Sequence, residues 1–379
     1  MAFIYLDNNA STPLLPAVAE AMAPFLDGVY GNAASAHSAG RQARRALESA
    51  RECVAHILGA DADEVVFTSG ATEANNLALF GLTQGAPWGH ILTSPVEHPS
   101  VTEPLAYLAK RGWSIEHLPV GTTGLVCTEG FSLRIRPETR LVAVMLANHE
   151  TGAVQPVAEL ARHLEGRTPF HCDAVQAVGK ISVNFHALGV STLAVSAHKF
   201  HGPKGVGALL VRRGVKLEPM LYGGHQQQAR RPGTEPVGLA VGMARALELW
   251  HSKAAARTQD VRRLRERFFD ALRQMAAPVI LNGPEDGIPH TLNLSFPGCQ
   301  ADSLLMNLDL AQVCCSTGSA CSSGSLLPSP VLQAMRVPAE NLHSAMRFSL
   351  CPLLTEADID EAARRIAAVV NRLRQLPVD

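Results

Sequence analysis

Short apolar runs alternate with longer amphipathic segments over the first two-thirds of the chain. Ser38–Leu58 carries apolar side chains at helical spacing, and Gly59 follows as a stop signal. Uniformly apolar runs such as 141–146 are typical of strands buried on both faces. The pattern predicts further helices over 72–80, 98–111 and 157–164, and strands over 64–67, 90–93, 141–146, 170–172, 193–195 and 206–211.

This alternation predicts an α/β protein with a mostly parallel sheet covered by helices on both faces. After Trp250 the composition changes, and residues 251–275 form a highly charged predicted helix. A strand over 290–296 and a terminal helix over 356–376 follow. The last third therefore indicates a smaller α+β unit, and 379 residues are enough for more than one core.

Charge and cysteine usage exclude several classes of protein. A net charge of -1 without a basic block argues against a large nucleic-acid interface. The N-terminal residues lack the features of a signal peptide, and no apolar run approaches the ~18 residues that span a membrane. The eight cysteines are scattered without metal-ligand spacing, so we expect reduced thiols, no metal site and a soluble, cytoplasmic protein.

Lys199 stands out among the six lysines. It follows the apolar run 193–195 in the segment SAHKFHGPKG, and ligands collect at the carboxyl ends of strands in α/β proteins. Burial there favours the neutral amine that forms a Schiff base with an aldehyde. Taken alone, a lysine in this place is more often a surface residue. The other lysines show no unusual surroundings in the sequence: Lys110, Lys180, Lys204, Lys216 and Lys253.

A carboxylate at the end of another apolar run favours a functional role for Lys199 over a place on the surface. Asp173 ends the segment FHCD, where an unpaired carboxylate is costly. A pyridoxal ring needs an anion beside its ring nitrogen to act as an electron sink. Gln176, three residues later, could reach the ring hydroxyl. The alternative is an N-cap aspartate, and Asp173 can serve both purposes.

Two strand-to-helix junctions add candidate ligands. Gly70, Ala71 and Thr72 lie in the segment TSGATE, whose small residues let backbone N–H groups approach a phosphate. His98 lies in VEHP, where an imidazole can stack on a flat ring and exchange protons near neutral pH. Each junction is weak evidence alone, because ordinary helix caps and structural histidines give the same pattern.

Together these segments resemble the class V aminotransferase superfamily, in particular cysteine desulfurases of the NifS/IscS type. The resemblance extends from YLDNNASTP at 5–13 and GNAAS at 31–35 to SACSSG at 319–324 and RFSL at 347–350. It implies pyridoxal 5'-phosphate as cofactor and L-cysteine as substrate. It also implies a fold-type-I enzyme, with a large domain (14–255) around a mostly parallel seven-stranded sheet. Residues 1–13 and 256–379 would form the small α+β domain.

The resemblance also implies a role for each site residue. Lys199 would bind the cofactor covalently and move the substrate Cα proton, with His98 stacked on the ring. Arg347 and Asn148 would bind the substrate, and Thr234 in RPGT would reach the phosphate of a neighbouring subunit in a homodimer. The remaining cofactor contacts would come from Gly70, Ala71, Thr72, His149, Asp173, Gln176, Ser196 and His198.

Cys321 determines which reaction the resemblance implies. A sulfur acceptor must be a thiolate that reaches the substrate and then carries its persulfide outward. Cys321 lies in the Ser/Thr/Gly-rich stretch 316–325, a composition typical of flexible, solvated segments. The expected acceptors are proteins such as an iron–sulfur scaffold or tRNA-thiolation proteins. The alternatives are a selenocysteine lyase, a small-amino-acid transaminase and a non-catalytic protein that kept the fold; a transaminase has no use for this cysteine.

One position departs from the family pattern. The segment Asn148-His149-Glu150 carries His149 where the family usually has a second asparagine beside the cofactor. An imidazole can still donate a hydrogen bond. We therefore expect the substitution to be tolerated.

Overall fold

The computed structural model describes residues 3–85, 88–318 and 328–375. Its strands are β1 (Ile4–Tyr5), β2 (Val65–Thr68), β3 (His90–Thr93), β4 (Ser114–His117), β5 (Thr139–Ala143), β6 (Phe170–Asp173), β7 (Thr192–Ser196), β8 (Gly207–Val211), β9 (Ile280–Leu281), β10 (Thr291–Ser295), β11 (Val313–Cys314) and β12 (Ala345–Ser349). Its α-helices are α1 (Pro16–Met22), α2 (Pro24–Asp27), α3 (Ser38–Leu58), α4 (Ala71–Thr83), α5 (Pro99–Lys110), α6 (Phe131–Arg134), α7 (Val157–Leu164), α8 (Phe185–Leu188), α9 (Val237–His251), α10 (Ala254–Met275), α11 (Ala301–Leu310), α12 (Pro330–Ala334), α13 (Ala339–Leu342) and α14 (Glu356–Arg374).

The large sheet has the strand order β2-β8-β7-β6-β5-β3-β4. Strand β8 runs antiparallel to both of its neighbours, and the other pairs are parallel. All residues of β6, β7 and β8 are buried, as expected for strands covered on both faces. The predicted α/β class with a mostly parallel seven-stranded sheet is confirmed.

A second apolar core lies in the C-terminal part of the chain. Strand β10 pairs antiparallel with β9 and β12, and helices α10, α11 and α14 pack against this small sheet. Ile4 and Leu6 belong to the same core, and β1 pairs with β11, so the N-terminal segment joins this region. The boundaries 14–255 and 256–379 stay a prediction. Within the described ranges, no helix combines the length and apolarity needed to cross a bilayer.

The structure differs from the predicted elements where local sequence is ambiguous. The charged stretch is the second of two consecutive helices, α9 and α10, which Ser252 and Lys253 separate. Strand β4 was not predicted, because SIEH is polar and pairs only with β3 at the sheet edge. Strand β5 ends at Ala143, three residues before the end of the apolar run.

Candidate active site

A cavity of about 610 Å³ opens at the carboxyl ends of β2, β6 and β7. Because these strands run in one direction, the residues after them meet at one edge of the sheet. The cavity wall includes most of the residues singled out by the sequence: Gly70, Ala71, Thr72, His98, His149, Asp173, Gln176, Ser196, His198 and Lys199.

Asn148 does not line the cavity, and its role in substrate binding stays a prediction. Its Oδ1 accepts hydrogen bonds from the backbone N–H groups of Glu150 and Thr151, both at 2.9 Å. Its Nδ2 donates to the Val96 carbonyl at 3.0 Å. The side chain is fully buried and occupied by these bonds, so it shapes the turn behind the wall.

Two further predicted residues lie outside the wall. Arg347 is 3% exposed, forms an ion pair with Asp7 (2.7 Å) and donates to the carbonyl of His149, directly behind the wall. Thr234 is exposed and does not line the cavity of its own chain. Cys321 lies outside the described residues.

One end of the cavity is built for an anion. Gly70 precedes the first turn of α4, whose N-terminal N–H groups and dipole favour a phosphate. Gly207 allows the close approach of this loop to the sheet, since a Cβ there would lie 2.9 Å from the backbone of Gly70. Ser196 Oγ lies 3.9 Å from the Cβ position of Gly70, and His198 also lines the cavity. Burial, together with the nearby Lys199 and Lys204, lowers the pKa of His198 to about 4.

Asp173 holds a negative charge in the interior of the site. It is 6% exposed, and its Oδ1 accepts from the Val175 N–H at 3.0 Å. Its Oδ2 accepts from the amide of Asn75 at 2.8 Å. In the described part of the chain these hydrogen-bond donors are uncharged, so they orient the carboxylate without neutralising it. A cationic ring nitrogen in the cavity would complete the pairing.

Asn75 connects Asp173 to two other polar side chains. Its amide nitrogen also donates to Ser100 Oγ (2.8 Å), and its Oδ1 lies 2.9 Å from His171 Nε2. Because that oxygen can only accept, His171 carries its hydrogen on Nε2, and its Nδ1 accepts from Thr192 Oγ1 at 2.9 Å. Burial lowers the pKa of His171 to about 3. This network is therefore neutral apart from Asp173.

His98 is fixed in one tautomer. Its Nδ1 accepts from the Ser100 backbone N–H (3.1 Å), which caps α5, and lies 2.8 Å from Ser100 Oγ. The hydrogen of the neutral ring must then be on Nε2. Burial and the nearby Lys199 lower the pKa of His98, while Asp173 acts in the opposite direction. The ring of His149 contacts it edge-on, with centroids 5.3 Å apart.

Two lysines bond to the segment of Asn9 and Ala10 beside the cavity, and of these Lys199 lines the cavity while Lys180 does not. Lys199 Nζ donates to the carbonyls of Asn9 (2.6 Å) and Ala10 (2.9 Å). Lys180 is 2% exposed, and its Nζ donates to Asn9 Oδ1 (2.7 Å) and to Gln176 Oε1. The expectation that Lys180 has ordinary surroundings was wrong. Its spacing four residues after Gln176, in a segment already assigned to the site, is the signal that could have identified it.

Other contributing residues were also missed. His171 is two residues before Asp173 on β6, and the period of two in a strand puts both on one face. Asn75 is three residues after Thr72 on α4, so both lie near one face of that helix. The contacts of Asn9 and Ser100 depend on tertiary packing, and no spacing in the sequence indicates them.

Comparison with known proteins agrees with this geometry. The family model described as aminotransferase class-V matches residues 4–362. This chain belongs to that family. It is 43% identical to cysteine desulfurase IscS of Dictyoglomus turgidum, over 98% of this chain and 96% of the relative.

Solved structures give the same result. A NifS-like protein superposes with a TM-score of 0.92 at 35% identity, covering 98% of this chain and 100% of its own. A structure described as SspA in complex with cysteine has a TM-score of 0.83 at 32% identity, covering 92% and 99%. Class V aminotransferases are pyridoxal-phosphate enzymes. The groups that line the cavity fit that cofactor: an anion-binding helix end, a buried carboxylate and an amine.

Proposed function

We propose that this enzyme is a cysteine desulfurase, which converts L-cysteine to L-alanine and leaves the sulfur as a persulfide on Cys321. The observation that carries the proposal is the convergence of Lys199, Asp173 and His98 on one cavity in a chain of this family. The similarity to a cysteine desulfurase over nearly the whole length supports the choice of reaction. The cysteine named in the description of the SspA structure supports the choice of substrate.

Each side of the cavity would hold one part of the cofactor. Lys199 would bind its aldehyde carbon, Asp173 its ring nitrogen and Gln176 its ring oxygen. The bound ring supplies an electron sink that weakens the bonds at the substrate Cα. The phosphate would be held by Gly70, Ala71, Thr72, Ser196 and His198, all of which line one end of the cavity.

Proton transfer would depend on Lys199 and His98. A neutral Lys199 amine can accept the Cα proton, and the carbonyls of Asn9 and Ala10 at 2.6 and 2.9 Å orient its Nζ. His98 would stack on the ring and keep its Nε2 hydrogen toward the ligand. Its lowered pKa keeps it neutral at pH 7. Lys199 and His98 are therefore suited to exchanging protons with the substrate, and neither adds a permanent charge to the site.

Arg347 would bind the substrate carboxylate with help from His149. The guanidinium is buried next to the His149 carbonyl, and its Nε has no hydrogen-bond partner within the described ranges. Burial and the neighbouring His98 lower the pKa of His149 well below its usual value. A neutral imidazole would thus stand where the family usually has an asparagine.

The partners of the enzyme are also part of this proposal. Thr234 would reach the phosphate site of a second copy in a homodimer, consistent with its exposed position. The persulfide would pass to a sulfur-acceptor protein in the cytoplasm, for example an iron–sulfur scaffold or a tRNA-thiolation protein. The described cysteines are free thiols, which is consistent with a reducing compartment.

The decisive experiment replaces Cys321 with serine. Cys321→Ser should bind cysteine normally but release alanine at less than about one-thousandth of the normal rate, because the nucleophile is lost. Cys127→Ser is the control, since Cys127 is an exposed cysteine without a disulfide. After incubation with ³⁵S-labelled cysteine, non-reducing peptide mass spectrometry should find the persulfide on Cys321 in the control. Normal turnover by Cys321→Ser would return the lyase or transaminase alternative to first place.

A further inference from the structure

Lys180 is a buried lysine whose Nζ has no carboxylate partner among the described residues. Its Nζ contacts two neutral amide oxygens, Asn9 Oδ1 and Gln176 Oε1. Among the residues that the structure describes, no acidic group lies within ion-pair distance of it. A buried ammonium costs free energy unless it is paired. Stability therefore does not explain why a lysine is buried at this position.

The fold brings this lysine against the segment that carries Lys199. Gly179 has φ +78°, and a Cβ there would lie 2.2 Å from the Cβ of Phe200. Only glycine permits this close packing of the two turns. Asn9 connects them further, because its Oδ1 accepts from Lys180 while its backbone oxygen accepts from Lys199.

Lys180 determines which way the amide of Gln176 points. An ammonium can only donate, so the Gln176 atom that faces it must be the oxygen. The nitrogen of the amide then lies on the other side and donates one hydrogen to the Asn9 carbonyl at 3.0 Å. Gln176 also lines the cavity, so the second hydrogen is available to an acceptor there.

We propose that Lys180 is a positioning residue that holds the Gln176 amide with its nitrogen toward the cavity, so that the cofactor's ring oxygen meets a hydrogen-bond donor backed by a buried positive charge. A donor and a nearby cation both favour the anionic form of an oxygen. The inference rests on the proposed place of the ring oxygen at Gln176. It does not depend on which substrate the enzyme uses.

In the part of the chain that the structure describes, the charges that act on Lys180 are positive. Burial, with the nearby Lys199 and Arg347, lowers the pKa of Lys180 well below its usual value, and an anionic ring oxygen at Gln176 would act in the opposite direction by favouring the ammonium. The charged and titratable groups that interact with it from the surrounding elements are Lys199, Arg347, His149, His198, His201 and His290. All of these are basic, so none would mask the loss of the Lys180 charge.

The test uses the cofactor-loaded enzyme without cysteine. The visible absorbance of the bound cofactor is titrated with pH in the wild type and in Lys180→Met, which preserves the side-chain length. Loss of the cation favours the protonated chromophore, so the pH midpoint should rise by about one unit or more. Lys110→Met, at the exposed end of α5, is the control and should leave the midpoint unchanged.

A double-mutant cycle tests the connection through Gln176. If Lys180 acts through that amide, the shifts of Lys180→Met and Gln176→Leu should not add in the double variant. Lys180→Arg, which keeps the charge, should restore the midpoint in part. Lys180→Gln replaces the methionine variant if that protein does not fold.

Two results would overturn the inference. An altered melting temperature with an unchanged absorbance midpoint would show that Lys180 is only structural. Fully additive shifts would show that it does not act through Gln176. Neither result bears on the desulfurase proposal, because cysteine turnover and the Cys321 persulfide are measured separately.

Discussion

The two sides of the cavity bury opposite charges in a similar way. On the Asp173 side, a carboxylate is surrounded by the amide of Asn75 and a backbone N–H. On the Lys180 side, an ammonium is surrounded by the amide oxygens of Asn9 and Gln176. In each case the hydrogen-bond partners are neutral groups, which orient the charge but do not neutralise it.

This difference in sign has a chemical consequence. A pyridoxal ring with a protonated nitrogen and an anionic oxygen carries a positive charge at the nitrogen and a negative charge at the oxygen. In the proposed placement of the cofactor, the cavity would offer an anion to the ring nitrogen and a cation-supported donor to the ring oxygen. Buried charges of this kind lower the stability of the protein without cofactor. The charges of the bound cofactor would compensate them. Changes to either side should therefore affect the cofactor more than the fold.

The largest effect is expected on the lysine side. Lys199→Ala should eliminate covalent attachment of the cofactor and all measurable turnover, because no other amine is proposed to bind the aldehyde. Intact mass spectrometry after borohydride reduction measures the attachment directly. Lys204→Ala is the matched control, since Lys204 also lines the cavity but is exposed. Retained attachment in the Lys199 variant together with its loss in the Lys204 variant would contradict the assignment.

The next effect is expected on the carboxylate side. Asp173→Asn should lower turnover by roughly 10²–10³-fold, because a fixed charge at the ring nitrogen is lost. Stability should change little, since the variant removes a buried charge and keeps its volume. Asp302→Asn, at an exposed position near the start of α11, serves as control. Turnover within tenfold of the wild type, with normal cofactor content, would argue against Asp173 at the ring nitrogen.

The sequence predicted the large sheet better than the small one. Strands such as β7 are uniformly apolar and buried, so composition alone identifies them. Strand β12 contains the buried Arg347 and was recognised only as part of a motif. Its burial depends on the ion pair with Asp7, which is 340 positions away in the chain. Local pattern contains no information about such a partner.

The site shows the same limit. Lys199 and Asp173 could be identified because each follows an apolar run, and strand ends converge in this class of fold. Asn148 and Lys180 could not be placed, because their roles depend on whether a side chain faces the cavity or the interior. The side chain of Asn148 bonds within its own turn, whereas Lys180 bonds to Asn9, four residues after β1. Motif identity alone does not distinguish these cases.

The smallest expected effect concerns the neutral network behind Asp173. The pKa of His171 is about 3 in the folded protein, against about 6.5 for an exposed histidine. Between these values the unfolded chain binds a proton that the folded chain does not. The contribution of His171 to stability is therefore complete above about pH 6.5 and is lost as the pH falls toward 3.

Urea denaturation at pH 7.5 and pH 5 measures this loss. At pH 5 the His171 contribution to the free energy of unfolding should be lower by about 2 kcal/mol. His171→Gln does not titrate, so its loss between the two pH values should be smaller than that of the wild type by this amount. His251→Gln, at the exposed end of α9, should keep the full wild-type loss. An equal loss in wild type and His171→Gln would mean that His171 is charged in the folded protein, and the hydrogen bond that its Nδ1 accepts from Thr192 would then have to be reassigned.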